Sequence, residues 1–526
     1  MPDLPYLSYL LPSALSAASL EDQLAARLNI QAEATGDVRR VYLDTFDWRL
    51  YRAGGVLQAK QTDRVLAMIW EDRRNGQTMA SCRVTRVPGR PAELPTSGLR
   101  EQITSLVEMR TLLPLAQVQG QSRLLRVLND DQKTVVRLRI ETARCRDGEG
   151  RSVGDLAPRL TLVPVKGYAK AARQLADVLE QDLALVASAP TRFDQALALL
   201  GRVPGDYSSK LNLQLDPQQR ADEAVRQILR HLLDTLVANV PGTRADLDSK
   251  FLHDLRVATR RTRSALNQIK GVLPAAIVAD YQQRFGWLSK VTGPTRDLDV
   301  FILGFADYRR SLPAELRGDL DPLLPYLQAH QRDAQQVLRR KLDSPHCRRL
   351  LKQWRQYLDG PPAAAQAPGS QAALPIRQVA SARLWRIYQR VLKEGRAIGN
   401  ASPAAELHEL RKSCKKLRYL LEFFVSLYPE QHIKPLIKHL KRLLDNLGEF
   451  QDLEVQAHQL RAFGEDLQRQ AADNLPVVLA IGTLIGDLLR RQGEARATFS
   501  DRFADFDDAG QHATCRALFH PAGEQA

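Results

Sequence analysis

Two stretches, HDLRVATRRTR at 253–263 and HELRKSCKKLR at 408–418, each place a histidine at the head of a basic run with matching spacing. At 100° per residue, His253, Arg256, Arg260 and Arg263 fall in one wedge about 80° wide, with Leu255, Leu266 and Ile269 on the opposite side. His408, Arg411, Lys415 and Arg418 form the same wedge opposite Leu410, Leu417, Leu421 and Phe424, while Arg261, Lys412 and Lys416 thicken the basic runs. A solvated helix face would account for one such stripe. A soluble surface helix, however, mixes signs, because like charges one turn apart cost about 0.2–0.5 kcal/mol per pair. Neither stripe contains an acid, so the residue types point to an anion held from outside. Guanidinium forks suit phosphate oxygens and ammonium groups add point charge. A histidine in such a row can donate to the anion, whose charge favours the protonated ring. No Cys, Asp or Glu is arranged with the pair as further ligands, which argues against a metal.

These residues need helices to align them. From 217 to about 500 nearly every segment has apolar residues at helical spacing, and Asp216 with Pro217 reads as the first N-cap and first helical position. In KPLIKHLKRLLDNL at 434–447, Lys434, Lys438 and Lys441 stand opposite the Leu face; Arg284 and Lys290 lie on the matching helix before it. Arg296, in TGPTRDLDV, is placed at a helix start, where side chain and backbone N–H groups together suit a phosphate. Asp297 and Asp452 read as caps or as groups that orient arginines.

The helical region is duplicated. A shift of 155 residues puts His253 on His408, Arg256 on Arg411, Arg263 on Arg418, Pro274 on Pro429, Gly293 on Gly448 and DLDV at 297–300 on DLEV at 452–455, without a gap. GPPAAAQAPGSQAALP at 360–375 reads as a flexible connection between the copies. The domain boundaries expected are a β-rich domain at 1–200, a linker at 201–216, helical repeats at 217–359 and 376–510, and a tail at 511–526.

The first 200 residues have a different texture. VRRVYLDTF, GGVLQAKQ, VLAMIWED, TMASCRVTRV, KTVVRLRIETARC and PRLTLVPV read as strands between turn signals, with helices at 19–28, 98–107 and 168–188.

Length and composition agree with a multidomain folded chain: 526 residues, 44% hydrophobic, and 75 Lys plus Arg against 60 Asp plus Glu, a net charge of +15. That excess favours anionic partners. The five cysteines form no paired or zinc-type spacing, the N-terminal MPDLPYLSYLLPSALSA lacks a positive leader, and no run is long enough for a bilayer. A cytoplasmic location is expected.

HDLRVATRRTR with TRDLDV, and HELRKSCKKLR with FQDLEV, resemble the two repeats of the CHAD family, the conserved histidine α-helical domain, over about 210–500. The resemblance implies two four-helix bundles related by a pseudo-twofold axis around a basic groove or pore. It also implies binding of inorganic polyphosphate and association with polyphosphate granules and their proteins. The anion-binding positions implied are His253, Arg256, Arg260, Arg263, His408, Arg411, Lys415 and Arg418; Gln451 stands where the first copy has Arg296. RRVYLDTFDWRLYRAGGVLQAKQ resembles the strand pair of CYTH-like triphosphate-tunnel enzymes, which implies an α+β domain built on an antiparallel β-barrel. That family's chemistry requires alternating glutamates to hold divalent metal. This chain has YLSYLLP and RLTLVPV in the corresponding strands, and Gln58 where a tunnel arginine is expected. A degenerate, non-hydrolytic domain is expected, without metal or other cofactor.

The reading adopted is non-enzymatic polyphosphate binding, without membrane attachment. The alternatives are a metal-dependent triphosphatase or polyphosphatase using the N-terminal domain, and nucleic-acid binding. The first lacks acidic ligands; the second lacks a recognition motif and stacking residues, with only 6% aromatics in the chain.

Overall fold

The computed structural model describes residues 7–12, 15–33, 35–62, 65–187, 190–361, 370–399, 401–470 and 474–520. The chain divides into two compact units, Met1–Ser208 and Ser209–Ala526.

The first unit is an antiparallel sheet with helices around it. In chain order it contains β1 (Leu7–Leu10), α1 (Ala17–Ala25), β2 (Ile30–Ala32), β3 (Gly36–Asp44), α2 (Arg49–Arg52), β4 (Gly55–Thr62), β5 (Val65–Asp72) and β6 (Thr78–Arg83). Then come α3 (Gly98–Val107), β7 (Leu113–Leu128), β8 (Thr134–Asp147), β9 (Ser152–Pro164), α4 (Ala169–Gln181) and α5 (Arg192–Leu199). The strands run in the order β1-β9-β8-β7-β3-β4-β5-β6, with β2 added to β7. This antiparallel arrangement fits the CYTH-like barrel expected from the sequence.

Side chains alternate between faces of a strand, so cross-strand register decides which residues share a face. Arg40 lies opposite Lys60, Tyr42 opposite Gln58, and Glu141 opposite Arg159. Apolar clusters flank this polar set: Tyr9, Leu138, Leu160 and Leu162 pack under α1 and α4, while Leu57, Met68 and Trp70 pack under α3.

The second unit is all helix: α6 (Ala221–Arg244), α7 (Ser249–Gln268), α8 (Ala275–Val291), α9 (Gly293–Ser311), α10 (Leu323–Leu342) and α11 (Pro345–Asp359) in the first half. The second half has α12 (Ile376–Arg396), α13 (Ala404–Phe424), α14 (Glu430–Gln470), α15 (Leu475–Ala497), α16 (Phe499–Phe506) and α17 (Ala509–Phe519). Ala221, Ser249 and Ala275, which begin α6, α7 and α8, are each 155 residues before Ile376, Ala404 and Glu430, which begin α12, α13 and α14. Leu342 and Ala497, which end α10 and α15, keep the same interval. The duplication therefore covers the full set of helices. One long helix, α14, replaces the pair α8 and α9, and two short ones, α16 and α17, stand where the first half has α11. Residues 511–519, assigned to a tail from sequence, lie inside α17, with Cys515 and Phe519 buried.

The halves meet about a pseudo-twofold axis. Ala221 N–H donates to Leu374 C=O at 2.9 Å, and Ile376 N–H donates to Gln219 C=O at 2.8 Å. Each residue in the second bond is the 155-shifted counterpart of one in the first, and Arg220 bridges its own counterpart Pro375. Such reciprocity is what a twofold operation generates. It also corrects the expected start of α6. Asp216 accepts from Gln218 N–H in a turn, and residues 219–221 use their backbone groups on the other half, so the helix begins at Ala221. Of the connection at 360–375, residues 362–369 lie outside the described residues.

Leu255, Leu266, Leu410, Leu417 and Leu421, assigned to the inner faces of the two basic helices, are buried in one core shared by both halves. No helix among the described residues is long and apolar enough to cross a membrane.

Candidate functional site: two basic stripes that meet

The stripes ride on α7 and α13, which pack against each other. Asp248 starts α7 by accepting from Lys250 and Phe251 N–H, and the buried Leu face then sets the helix's rotation. The polar wedge is left facing α8, α9 and the other half.

At the head of α7, His253 is half-buried near Lys250, Arg296 and Arg260. Burial first, and then these cations, push its imidazole down to about 4, so the ring is neutral at neutral pH. The second copy solves the same position differently. His408 Nδ1 hydrogen-bonds to Gln451 Oε1, while Gln451 Nε2 donates to Glu454. Arg296 and Gln451 are counterparts under the 155 shift, so the departure noted in sequence is a change of histidine partner.

One turn on, Arg256 donates to Ser289 C=O at 3.1 Å and Thr292 Oγ1 at 3.0 Å; its counterpart Arg411 pairs with Asp452 at 2.8 Å. Gly293 and Gly448 lie under these guanidinium groups: a Cβ on Gly293 would stand 3.7 Å from Arg256 Nη1, and one on Gly448 3.9 Å from Arg411 Nη2. The glycines repeated in the sequence thus lie next to the two equivalent arginines, at a distance that a methyl group would also fit. Asp452 orients Arg411, as one of the two sequence readings has it. It does not cap a helix, because α14 runs through it without a break.

Arg260 and Lys415 occupy equivalent positions and face each other across the pseudo-axis. Burial, followed by Arg411 and Arg260, pushes the Lys415 ammonium down to about 8. Among the described residues, neither Arg260 nor Lys415 has a hydrogen bond or a carboxylate within ion-pair distance. The two stripes join here into one cationic patch. Arg296 adds to it: burial and Arg260 push its guanidinium down, and its Nη1 is buried without a hydrogen-bond partner. The open helix N-terminus expected beside Arg296 is not found. Only Thr292 separates α8 from α9, and the corresponding stretch of the second half is continuous helix.

The remaining sequence-selected residues divide. Arg261 and Arg418 both grip Glu422, each at 2.7 Å, and Arg261 also donates to Ser209 C=O. Arg261 thereby ties α7 to α13, while Arg418 holds Glu422 in place from within α13. Lys412 pairs with Glu409 on its own helix at 2.8 Å. Arg263 reaches Ser289 Oγ at 3.4 Å, and Lys416 has no ion pair. Lys438 and Lys441 are exposed on α14 without ion pairs. Lys441 precedes Gly448 by two helical turns, about 10 Å along the same face. Sequence reasoning missed Lys250, Ser289, Thr292 and Glu422. Lys250 and Glu422 lie at i−3 from His253 and i+4 from Arg418, and that spacing is their signal; Ser289 and Thr292 act from another helix and give none.

In the first unit, Glu141 sits between Arg40, at 2.6 Å, and Arg192, at 3.8 Å. Burial pushes the Glu141 carboxyl up, but Arg40 and Arg192 outweigh it and hold the group below its usual range. Gln58 hydrogen-bonds Glu71, and burial drives the Lys60 ammonium down. Among the described residues, no group of three or more His, Cys, Asp or Glu side chains is placed to hold a metal ion.

Residues 227–461 match the family model of the CHAD domain. Among solved structures, the CHAD domain from the plant Ricinus communis is 26% identical, covering 59% of this chain and 96% of its own, with a TM-score of 0.45. PptA from Streptomyces chartreusis is 15% identical, covering 54% and 99%, with a TM-score of 0.43. HpAC1 from Hippeastrum, described with a dominant triphosphatase activity, is 13% identical, covering 39% and 98%, with a TM-score of 0.26. No curated protein matches the chain.

Proposed function

We propose, from the premise that residues 227–461 are a CHAD domain, that the joined stripes hold inorganic polyphosphate without chemically changing it. The observation that carries this reading is the meeting of Arg260 and Lys415, flanked by His253, Arg256, Arg296, His408 and Arg411, with no carboxylate within ion-pair distance of either central cation. Two adjoining cations without a carboxylate in ion-pair distance among the described residues are electrostatically incomplete until an anion arrives. Polyphosphate is a flexible chain of phosphoryl groups without bases, so charge and guanidinium forks suffice to hold it. The chain is only 6% aromatic, which does not favour the stacking platforms that single-stranded nucleic acid uses. The N-terminal unit takes no catalytic part in this reading: its buried Glu141 is engaged by two arginines. Binding of this kind suits a protein that travels with polyphosphate granules.

Long-chain polyphosphate is expected to bind the full-length protein. Replacing Arg256, Arg260, Arg411 and Lys415 together with Ala should abolish most of that binding while helicity by circular dichroism is unchanged. Binding unaffected by the four substitutions would remove the patch from the function. Equal affinity for single-stranded DNA of matched charge would overturn the preference for polyphosphate. Release of phosphate from tripolyphosphate by the full-length protein with Mg²⁺ or Mn²⁺ would overturn the non-enzymatic reading, and a diffuse fluorescent tag in polyphosphate-rich cells the granule association.

A further inference from the structure

The pseudo-twofold axis makes each half a control for the other, and at one place they differ in charge. In the second half Glu422 accepts from Arg261 through Oε2 and from Arg418 through Oε1, both at 2.7 Å. Shifting by 155 residues turns Glu422 into Asn267, Arg261 into Lys416 and Arg418 into Arg263. The two cations are kept and the carboxylate is lost. Without it, these residues do not close up: Arg263, Ser264, Asn267, Lys415, Lys416 and Tyr419 line an open cleft of about 590 Å³. Among the described residues Lys416 has no ion pair, Arg263 reaches only Ser289 Oγ at 3.4 Å, and Ser264 Oγ is buried without a hydrogen-bond partner. Lys415 belongs both to this cleft and to the central patch.

Glu422 therefore shows, within the same molecule, what this pair of cations takes: an anionic group with two oxygens directed at two donors. A phosphoryl group supplies those oxygens and a larger charge, and the Asn267 amide and Ser264 hydroxyl add donors that a glutamate at 267 would displace. We propose that the cleft is a subsite for a phosphoryl group of the bound chain, seated where Glu422 places its carboxylate in the other half. The proposal rests on the polyphosphate reading above and makes the duplicated patch one-sided. The chain runs from Arg260 and Lys415 outward past Lys416 and Arg263, and is stopped on the opposite side, where Glu422 already fills the equivalent place.

The test gives the first half the missing carboxylate. Asn267→Glu is compared with Gln336→Glu, which makes the same change in net charge at an exposed position on α10, and with Asn267→Gln. Tripolyphosphate and long-chain polyphosphate are the probes, by calorimetry on the full-length protein. Asn267→Glu is expected to weaken binding about tenfold, the order for losing one charge-assisted contact, while Gln336→Glu stays close to wild type and Asn267→Gln, which keeps an amide but moves it, falls between the two. Lys416→Gln should weaken binding to a similar extent. If Asn267→Glu binds both probes as Gln336→Glu does, the subsite is overturned and the central patch stands. If the unsubstituted protein binds neither probe, the polyphosphate reading itself has failed.

Discussion

Lys415 illustrates how a single side chain can report on the ligand. Burial and its cationic neighbours hold its ammonium at about 8, below the ordinary lysine value, so at mildly alkaline pH a fraction of the molecules lack this charge. A bound polyanion favours the charged form, so binding near pH 8 takes up protons, and affinity falls as pH rises through that value. Arginine stays charged throughout. Lys415→Arg should therefore show less proton uptake than the native protein when calorimetry is repeated in buffers of different ionisation enthalpy; equal uptake would mean that Lys415 does not face the ligand. His253 follows the same logic from the other end. Burial, Lys250 and Arg296 keep it neutral at rest, and on the proposed reading a bound anion favours its charged form.

At the scale of helices, the patch depends on α7 and α13 keeping their rotation, and close packing elsewhere enforces it. Gly395 on α12 lies against the ring of Phe503 on α16, and a Cβ there would fall inside the ring. Gly395→Ala is expected to cost about 1–3 kcal/mol through overpacking, read as a lower urea midpoint at unchanged slope. A midpoint equal to that of the native protein would show that α16 yields freely. Elements of this kind were unevenly legible. The basic helices were readable because a wedge of cations opposite leucines has only one arrangement that buries the leucines. β7 is hard to see in the sequence, because Gln117, Gln119, Gly120 and Gln121 dilute its apolar signal, although it pairs with β2, β3 and β8. The start of α6 was misplaced because the backbone partners of residues 219–221 lie in the other half, about 155 positions away in sequence.

For the molecule as a whole, a net charge of +15 and a patch shared by two halves make binding an ionic-strength problem. The logarithm of the affinity for polyphosphate should fall linearly with the logarithm of salt concentration as counterions are released, and the slope should become shallower in the Arg256, Arg260, Arg411 and Lys415 variant. An unchanged slope would mean that the chain is held elsewhere on the basic surface. The sequence by itself determined the duplication, its interval and which residues lie on each stripe, because repetition and helical period are properties of order along the chain. Only the tertiary structure decided which of those cations remain available. Arg261 and Arg418 are taken by Glu422, Arg411 by Asp452, and Lys412 by Glu409, while Arg260 and Lys415 meet across the axis with no carboxylate in ion-pair distance among the described residues. Charge neutralisation depends on distances of a few ångströms between side chains from different helices, and composition carries no record of them.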